Sequence, residues 1–160
     1  MEALYKNFFR KKDNADPVLI ALERIPIFEN LFKKELKNIA QLTHEREYKS
    51  NEYVFKKHAP AEGMYVILDG EIKIKDPKSG NIFASLHPGD FFGELALLDE
   101  EPRSASAICT AHSRLLGFFR TDLLTLINRY PELGNKILLN LSRVLGERLR
   151  ETNKNIIKSK

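Results

Sequence analysis

The sequence contains a single cysteine, Cys109, and no apolar run long enough to cross a bilayer as a helix. One cysteine excludes an internal disulfide. Its place in an apolar strand pattern predicts a buried thiol in a reducing compartment, the cytoplasm. The N-terminal residues also lack the apolar segment of a secretory signal. These absences predict a chain that neither spans a membrane nor depends on disulfides.

Strong net charge and clustered metal ligands are also missing. A net charge of +4 over 160 residues helps to attract an anionic ligand but does not indicate nucleic-acid binding. The histidines are scattered, mostly at predicted turns or helix ends: His44, His58, His87 and His112. Neither a metal site nor a nucleophile beside a base is visible, so we predict no bound metal and no enzymatic activity.

One stretch, residues 89–106, combines the features of an anion site. Gly89 and Gly93 permit backbone conformations that are closed to other residues, and Gly93 precedes a predicted helical turn. Unpaired N–H groups and the helix dipole at such a turn favour an anion. Arg103 can hold two oxygens of one phosphate, and the Glu94 carboxylate can accept from a sugar hydroxyl. The stretch therefore predicts a sugar-phosphate site.

Two runs in this stretch, Phe92-Gly93-Glu94-Leu95-Ala96-Leu97-Leu98 and Pro102-Arg103-Ser104-Ala105, resemble the phosphate-binding cassette of cyclic nucleotide-binding domains. The spacing from Glu94 to Arg103 is similar to that in protein kinase A regulatory subunits, whereas catabolite activator proteins have one more residue between these two positions. The resemblance implies that Arg103 binds the cyclic phosphate and Glu94 the ribose 2′-hydroxyl. It implies ligand contacts at Gly93, Glu94, Leu95, Ala96, Arg103, Ser104 and Ala105.

The hydrophobic pattern around the cassette predicts helices, then about eight short strands with one helical turn inserted, then two helices. Asp69-Gly70 is predicted to be a hairpin turn, and Thr121 the N-cap of the helix that follows the strands. This order resembles the whole family fold: a mainly β protein with flanking helices, an eight-stranded jelly-roll β-barrel (double-stranded β-helix) with N-terminal helices and a two-helix C-terminal lid.

We predict three parts: a helical arm at 1–24, a cyclic nucleotide-binding β-roll at 25–130, and a C-terminal sensor and dimerisation helix at 131–160. Residues 1–12 are interpreted as an amphipathic arm packed on this domain or on a partner, with a membrane-surface role as the alternative. One departure from the family is His58, in a turn where a glycine is usual. A positive φ there would strain a histidine.

The last helix carries a long apolar stripe that predicts packing on the β-roll and, beyond it, homodimerisation. The stripe comprises Leu138, Leu141, Leu145, Leu149, Thr152 and Ile156. Alignment with catabolite activator proteins places Thr152 and a partner's Asn153 at the adenine, and Ile74 and Phe83 against the base. The alternatives are an ordinary exposed position for Thr152 and plain core packing for Ile74 and Phe83.

Together these features predict a stand-alone sensor of a cyclic nucleotide, with cAMP as the expected ligand and cGMP possible. The last two helices would signal to an effector protein of unknown identity. The chain ends at Lys160, so no DNA-binding domain is expected after the helix, and its basic end is interpreted as solvated. The alternative is a protein-interaction module that has kept the fold and lost the ligand; intact Glu94 and Arg103 favour the sensor.

Overall fold

The computed structural model describes residues 16–159, so the predicted arm at 1–12 lies outside the described residues. The helices are α1 (Pro17–Glu23), a 3-10 helix (Pro26–Phe28), α2 (Lys33–Ala40), α3 (Arg120–Arg129) and α4 (Pro131–Lys158). The strands are β1 (His44–Tyr48), β2 (Tyr53–Phe55), β3 (Gly63–Asp69), β4 (Ile72–Lys75), β5 (Ile82–Leu86), β6 (Phe91–Phe92), β7 (Ser106–Cys109) and β8 (Ser113–Phe119). A second 3-10 helix, Glu94–Leu97, follows β6. The predicted order of elements is confirmed.

The strands form two antiparallel sheets, ordered β1-β8-β3-β6 and β2-β7-β4-β5. Their inner faces share one apolar cluster, in which Tyr65 and Leu115 of the first sheet meet Ile72 and Ala107 of the second. The chain crosses repeatedly between the sheets, which is the jelly-roll arrangement that the family resemblance implies. Within residues 16–159 no strand ladder joins the two sheets, so they form a sandwich rather than a closed barrel.

The prediction of a hairpin at Asp69-Gly70 is wrong. The turn carries the chain from β3 in one sheet to β4 in the other, and these two strands do not pair. Gly70 has a φ of +96°, and a Cβ added to it would clash with the Ser113 hydroxyl of β8. The Asp-Gly pair therefore correctly predicted that the chain reverses here. Strand pairing between residues far apart in the sequence determined which sheet β4 joins.

Local capping explains where two of the helices begin. The Asp16 side chain accepts a hydrogen bond from the Val18 N–H at 2.9 Å, and Pro17 starts α1. Thr121 does not cap α3 as predicted. The helix begins at Arg120, two residues earlier than predicted, and the Asp122 carboxylate accepts from the Phe119 N–H at 2.9 Å. A carboxylate three residues into the helix has thus replaced the expected hydroxyl cap.

The helices pack over the first sheet, and α4 divides into two halves. Ile137 and Leu141 are buried in the core, and the buried Asn140 amide donates to the carbonyls of Ile27 and Glu29. From Glu147 onward every described residue of α4 is exposed. The predicted stripe therefore packs on the domain in its first half and faces solvent in its second. No helix between residues 16 and 159 is both long and apolar enough to cross a membrane.

Candidate functional site

A cavity of about 570 Å³ opens between the second sheet and the predicted cassette. This volume lies in the range of small-molecule sites. Ile74, Ala84 and Leu86 line one wall with apolar side chains, and residues from Phe91 to Ala105 line the other. The cavity therefore has an apolar wall facing a wall that carries charged side chains.

The cassette begins with a backbone conformation that only glycine adopts without strain. Gly93 has a φ of +77° and follows β6, and Glu94 starts the 3-10 helix. A Cβ on Gly93 would lie 2.7 Å from Nη1 of Arg103, too close for any side chain. The N–H groups of Glu94 and Leu95 are the first in the 3-10 helix and have no carbonyl partner within it. Gly93 thus brings the backbone close to the guanidinium.

Arg103 is almost completely buried, with 7% of its surface exposed, and the surrounding protein holds its guanidinium in place. Its Nη2 donates to the Gly63 carbonyl at 2.6 Å, and its Nη1 donates to the Gly93 carbonyl at 3.3 Å. The guanidinium carbon also lies 4.0 Å from the centre of the Phe55 ring. Burial lowers the pKa of Arg103, and the nearby Tyr65, Glu62 and Glu94 oppose this shift.

The backbone of Arg103 is pinned to the turn that contains His58. The Arg103 N–H donates to the Ala59 carbonyl at 2.9 Å, and the His58 N–H donates to the Arg103 carbonyl at 2.8 Å. His58 has a φ of +70°, so the positive φ considered from the sequence is confirmed. A non-glycine residue in this region carries strain. The strained turn therefore lies directly against the arginine of the site.

Glu94 is the second buried charge of the cavity, with 4% of its surface exposed. Its Oε1 forms an ion pair with Nη1 of Arg148, which extends from the exposed half of α4. Arg148 also lies 4.7 Å from the centre of the Phe91 ring and donates to the Phe91 carbonyl at 3.4 Å. The cassette and the last helix are therefore joined at the cavity.

Two buried side-chain atoms at this cavity have no hydrogen-bond partner within the described chain: Nε of Arg103 and Oε2 of Glu94. One is a donor that carries positive charge, and the other is an acceptor that carries negative charge. Buried polar atoms are nearly always paired, because leaving one unpaired costs about 1–3 kcal/mol. The two residues that carry these atoms line the cavity, and they place a cationic donor and an anionic acceptor beside it.

The structure brings most of the predicted site residues together. The seven predicted phosphate and ribose contacts all line the cavity: Gly93, Glu94, Leu95, Ala96, Arg103, Ser104 and Ala105. Ile74, predicted at the base, lines it as well. Phe83 does not. It neighbours Ala84 on β5, and successive side chains on a strand point to opposite faces, so Phe83 is 63% exposed on the outer face.

Thr152 and Asn153, the other predicted base contacts, are exposed on α4 and do not line the cavity. The Thr152 hydroxyl donates to the Arg148 carbonyl one helical turn earlier, at 2.9 Å. Sequence reasoning missed Arg148 as a site residue, because it treated this basic end of the helix as solvated. Arg148 lies four residues before Thr152, so both residues lie on one helix face. This spacing was the signal by which the sequence could have identified Arg148.

Comparison with known proteins identifies the family of this chain. The family model of the cyclic nucleotide-binding domain matches residues 45–130, which contain all eight strands except the first residue of β1. The chain belongs to this family. A cyclic nucleotide-binding domain from Methylobacillus flagellatus has the same fold, with a TM-score of 0.77 and 26% identity over 91% of this chain and 83% of that one.

This cyclic nucleotide-binding domain is similar to two proteins of different kinds, a receptor protein and a kinase regulatory subunit. The cyclic AMP receptor protein of Thermus thermophilus is 33% identical over 129 residues, 79% of this chain and 58% of that protein. A cAMP-dependent protein kinase regulatory subunit of Dictyostelium discoideum is 25% identical over 99 residues, 58% of this chain and 30% of that protein. The chain thus spans less than two thirds of the length of the curated relatives that it matches.

Proposed function

We propose that this domain senses a cyclic nucleotide, preferably cAMP, by binding it without catalysis. The observation that carries the proposal is the unpartnered pair of buried atoms at one cavity, Arg103 Nε and Glu94 Oε2. A phosphate oxygen satisfies the first, and a ribose hydroxyl satisfies the second. The relatives named for cAMP support that nucleotide, and cGMP offers the same phosphate and ribose.

The rest of the cassette completes the proposed phosphate and ribose contacts. The N–H groups at Glu94 and Leu95 face no carbonyl within their own helix, and Ala96, Ser104 and Ala105 line the same cavity. The base would lie against Ile74 on the apolar wall. At about 0.3 kcal/mol per atom, roughly 22 non-hydrogen atoms give a Kd near 10 μM, and charge-assisted bonds would tighten it.

The signal would leave the domain through α4. Arg148 of this helix is paired with Glu94, so a nucleotide that contacts Glu94 acts on the same carboxylate that holds the helix. A ligand shifts a conformational balance only through its different affinities for the two states, and this pair supplies a source of such a difference. We infer that α3 and α4 relay the change to an effector protein in the cytoplasm, where the buried thiol of Cys109 stays reduced.

The exposed half of α4 supports a homodimer. Leu149 and Ile156 are 62% and 54% exposed and recur at the spacing of a two-helix seam, with Thr152 between them. We expect the wild-type domain to sediment as a dimer and a Leu149→Glu, Ile156→Glu variant to sediment as a monomer, because buried like charges oppose each other across the seam. Glu147→Gln, a change elsewhere on the helix, is the control. A variant that stays dimeric would place the interface elsewhere.

Base recognition by Thr152 and a partner's Asn153 also stays a proposal that requires α4 to approach the cavity. The Thr152 hydroxyl donates to its own helix, which leaves its oxygen free to accept from the exocyclic amine of adenine. Thr152→Ala should reduce the preference for cAMP over cGMP by about 5-fold, the value of one neutral hydrogen bond. Thr152→Ser keeps the hydroxyl and should preserve the ratio. An unchanged ratio in the alanine variant would remove Thr152 from the site.

The proposed function is tested by titrating nucleotide-stripped protein with cAMP and, in parallel, cGMP in a calorimeter. Saturable binding with a Kd of about 10 μM or tighter supports the sensor. Heat no greater than dilution for both nucleotides, in protein shown to be folded and empty, would contradict it. That result would favour the ligand-free protein-interaction module.

A further inference from the structure

We propose that Phe55 is a positioning residue for the ligand's phosphate: its ring supports the Arg103 guanidinium and sets which edge of that cation faces the cavity. The inference rests on the proposed function, because it assigns a role to Phe55 in the same site. Nothing in the motif identifies Phe55, which lies on β2, far from the cassette in sequence. Four features of the surroundings of Arg103 support this role.

The first feature is the distance between the ring and the cation. The guanidinium carbon of Arg103 lies 4.0 Å from the centre of the Phe55 ring, well within the range of a cation–π contact. Arg103 is almost completely buried, so little water competes for its charge. Such contacts are strongest where the cation is desolvated. Both side chains line the cavity, which puts the contact next to the proposed ligand.

The second feature is that other aromatic rings hold the Phe55 ring. Its centre lies 6.3 Å from that of Tyr65 and 5.9 Å from that of Phe92, in tilted arrangements. Tyr65 and Phe92 are themselves stacked at 5.6 Å and buried. Ring pairs at these separations attract one another, so Phe55 is a fixed surface rather than a freely rotating side chain.

The third feature is an irregularity in β2 that turns Phe55 inward. Tyr53 and Phe55 are two residues apart and would share one face of a regular strand. The register shifts between them, because Tyr53 pairs with Ile108 and Phe55 with the adjacent Ala107. Tyr53 consequently lies outside, next to the ammonium of Lys75, whereas Phe55 joins the interior cluster. Bulges commonly redirect a side chain in this way beside functional sites.

The fourth feature is how the nitrogen atoms of Arg103 are used. Carbonyl groups of Gly93 and Gly63 accept from Nη1 and Nη2, while Nε has no partner among the described residues. The N–H bonds of a guanidinium lie in one plane, so the surface beneath that plane determines where Nε points. With the ring in place, Nε is the guanidinium nitrogen left to donate to a phosphate oxygen.

The test measures cAMP binding to Phe55→Leu, with Phe55→Met as a second variant that fills the space without a ring. Both should bind cAMP about 3- to 30-fold more weakly than the wild type, the range expected for a desolvated cation–π contact. Phe55→Tyr keeps the ring and should restore most of the affinity. Phe119→Leu is the matched control, because that ring joins the same cluster yet does not line the cavity. It should change the affinity less than about 2-fold.

The same substitutions in an Arg103→Lys background separate positioning from a simple change of cavity shape. Lysine has no planar fork, so losing the ring should then weaken binding less than about 2-fold. A second readout needs no nucleotide: the Nε–H signal of Arg103 in a proton–nitrogen NMR spectrum, assigned by its loss in Arg103→Lys. Removing the ring should shift or broaden that signal.

Three outcomes would overturn the role of Phe55. They are wild-type affinity in both ring-deleted variants, an equal loss in the Arg103→Lys background, or an Nε–H signal that does not change when the ring is removed. Wild-type protein that binds neither cAMP nor cGMP would contradict the proposed function instead. In that case the Nε–H signal alone still decides whether Phe55 orients the guanidinium.

Discussion

Alanine at Arg103 should weaken cAMP binding by roughly 100-fold or more, the largest effect expected from any single substitution in this domain. Hydrogen bonds that involve a charged group are worth about 1.5–3 kcal/mol each, and a bidentate phosphate contact uses two of them. The loss is therefore about 3–6 kcal/mol, or roughly 10²- to 10⁴-fold in Kd. Calorimetric titration of the variant, extended to millimolar nucleotide, measures it directly.

A measurement of stability and a second variant separate lost binding from lost folding. Arg103→Ala also leaves the carbonyls of Gly63 and Gly93 without their donor, which should cost about 1–3 kcal/mol of stability and lower the melting temperature. Arg103→Lys keeps the charge but not the planar fork, and should bind with intermediate affinity. If the alanine variant were folded and bound cAMP as the wild type does, Arg103 would not be the phosphate ligand.

Removing the Glu94 carboxylate should weaken cAMP binding by about 10- to 100-fold, the equivalent of one charged hydrogen bond. Glu94 offers Oε2 as an unpartnered acceptor at the cavity, while its Oε1 is paired with Arg148. Arg148 is half-exposed and can be solvated once its partner is gone, so the effect of Glu94→Ala should fall on the ligand. Titration with cAMP gives the loss.

A ligand that lacks the 2′-hydroxyl identifies the contact that is lost. Wild-type protein should bind 2′-deoxy-cAMP about 10- to 100-fold more weakly than cAMP, and Glu94→Ala should bind the two nucleotides equally. Glu101→Gln is the matched control: this exposed carboxylate lines the same cavity, and its loss should change little. If Glu94→Ala weakened both nucleotides by the same factor, Glu94 would act on the cassette rather than on the ribose.

Short-range patterns in the sequence were sufficient for the cassette and for the order of elements. The run from Gly93 to Ala105 specifies a positive φ, a helical turn and a nearby arginine within thirteen residues, and the structure brings them to one cavity. The turn at His58 was identified from the family resemblance instead, and its φ is positive. Capping at Asp16 and alternation along the strands act over a few residues, so they can be recognised along the chain.

What the sequence could not supply were contacts between residues far apart in the chain. Gly70 and its neighbours show a turn, yet only strand pairing decides that β3 and β4 belong to different sheets. Phe83 was placed at the base, although alternation along β5 turns Ala84 inward instead. Arg148 looks like any basic residue near a helix end until α4 brings it to Glu94.

By itself, therefore, the sequence determined the order of elements and the cassette with its two charged residues through local conformation and spacing, and the fold family through its resemblance to cyclic nucleotide-binding domains. Only the tertiary structure decided that Arg103 lies on Phe55 and between two carbonyls, and that Glu94 is shared with α4. The physical reason is that hydrogen bonds, ring contacts and burial depend on which elements meet in space. A one-residue shift in the register of β2 is enough to turn Phe55 inward, and no local sequence pattern predicts this shift.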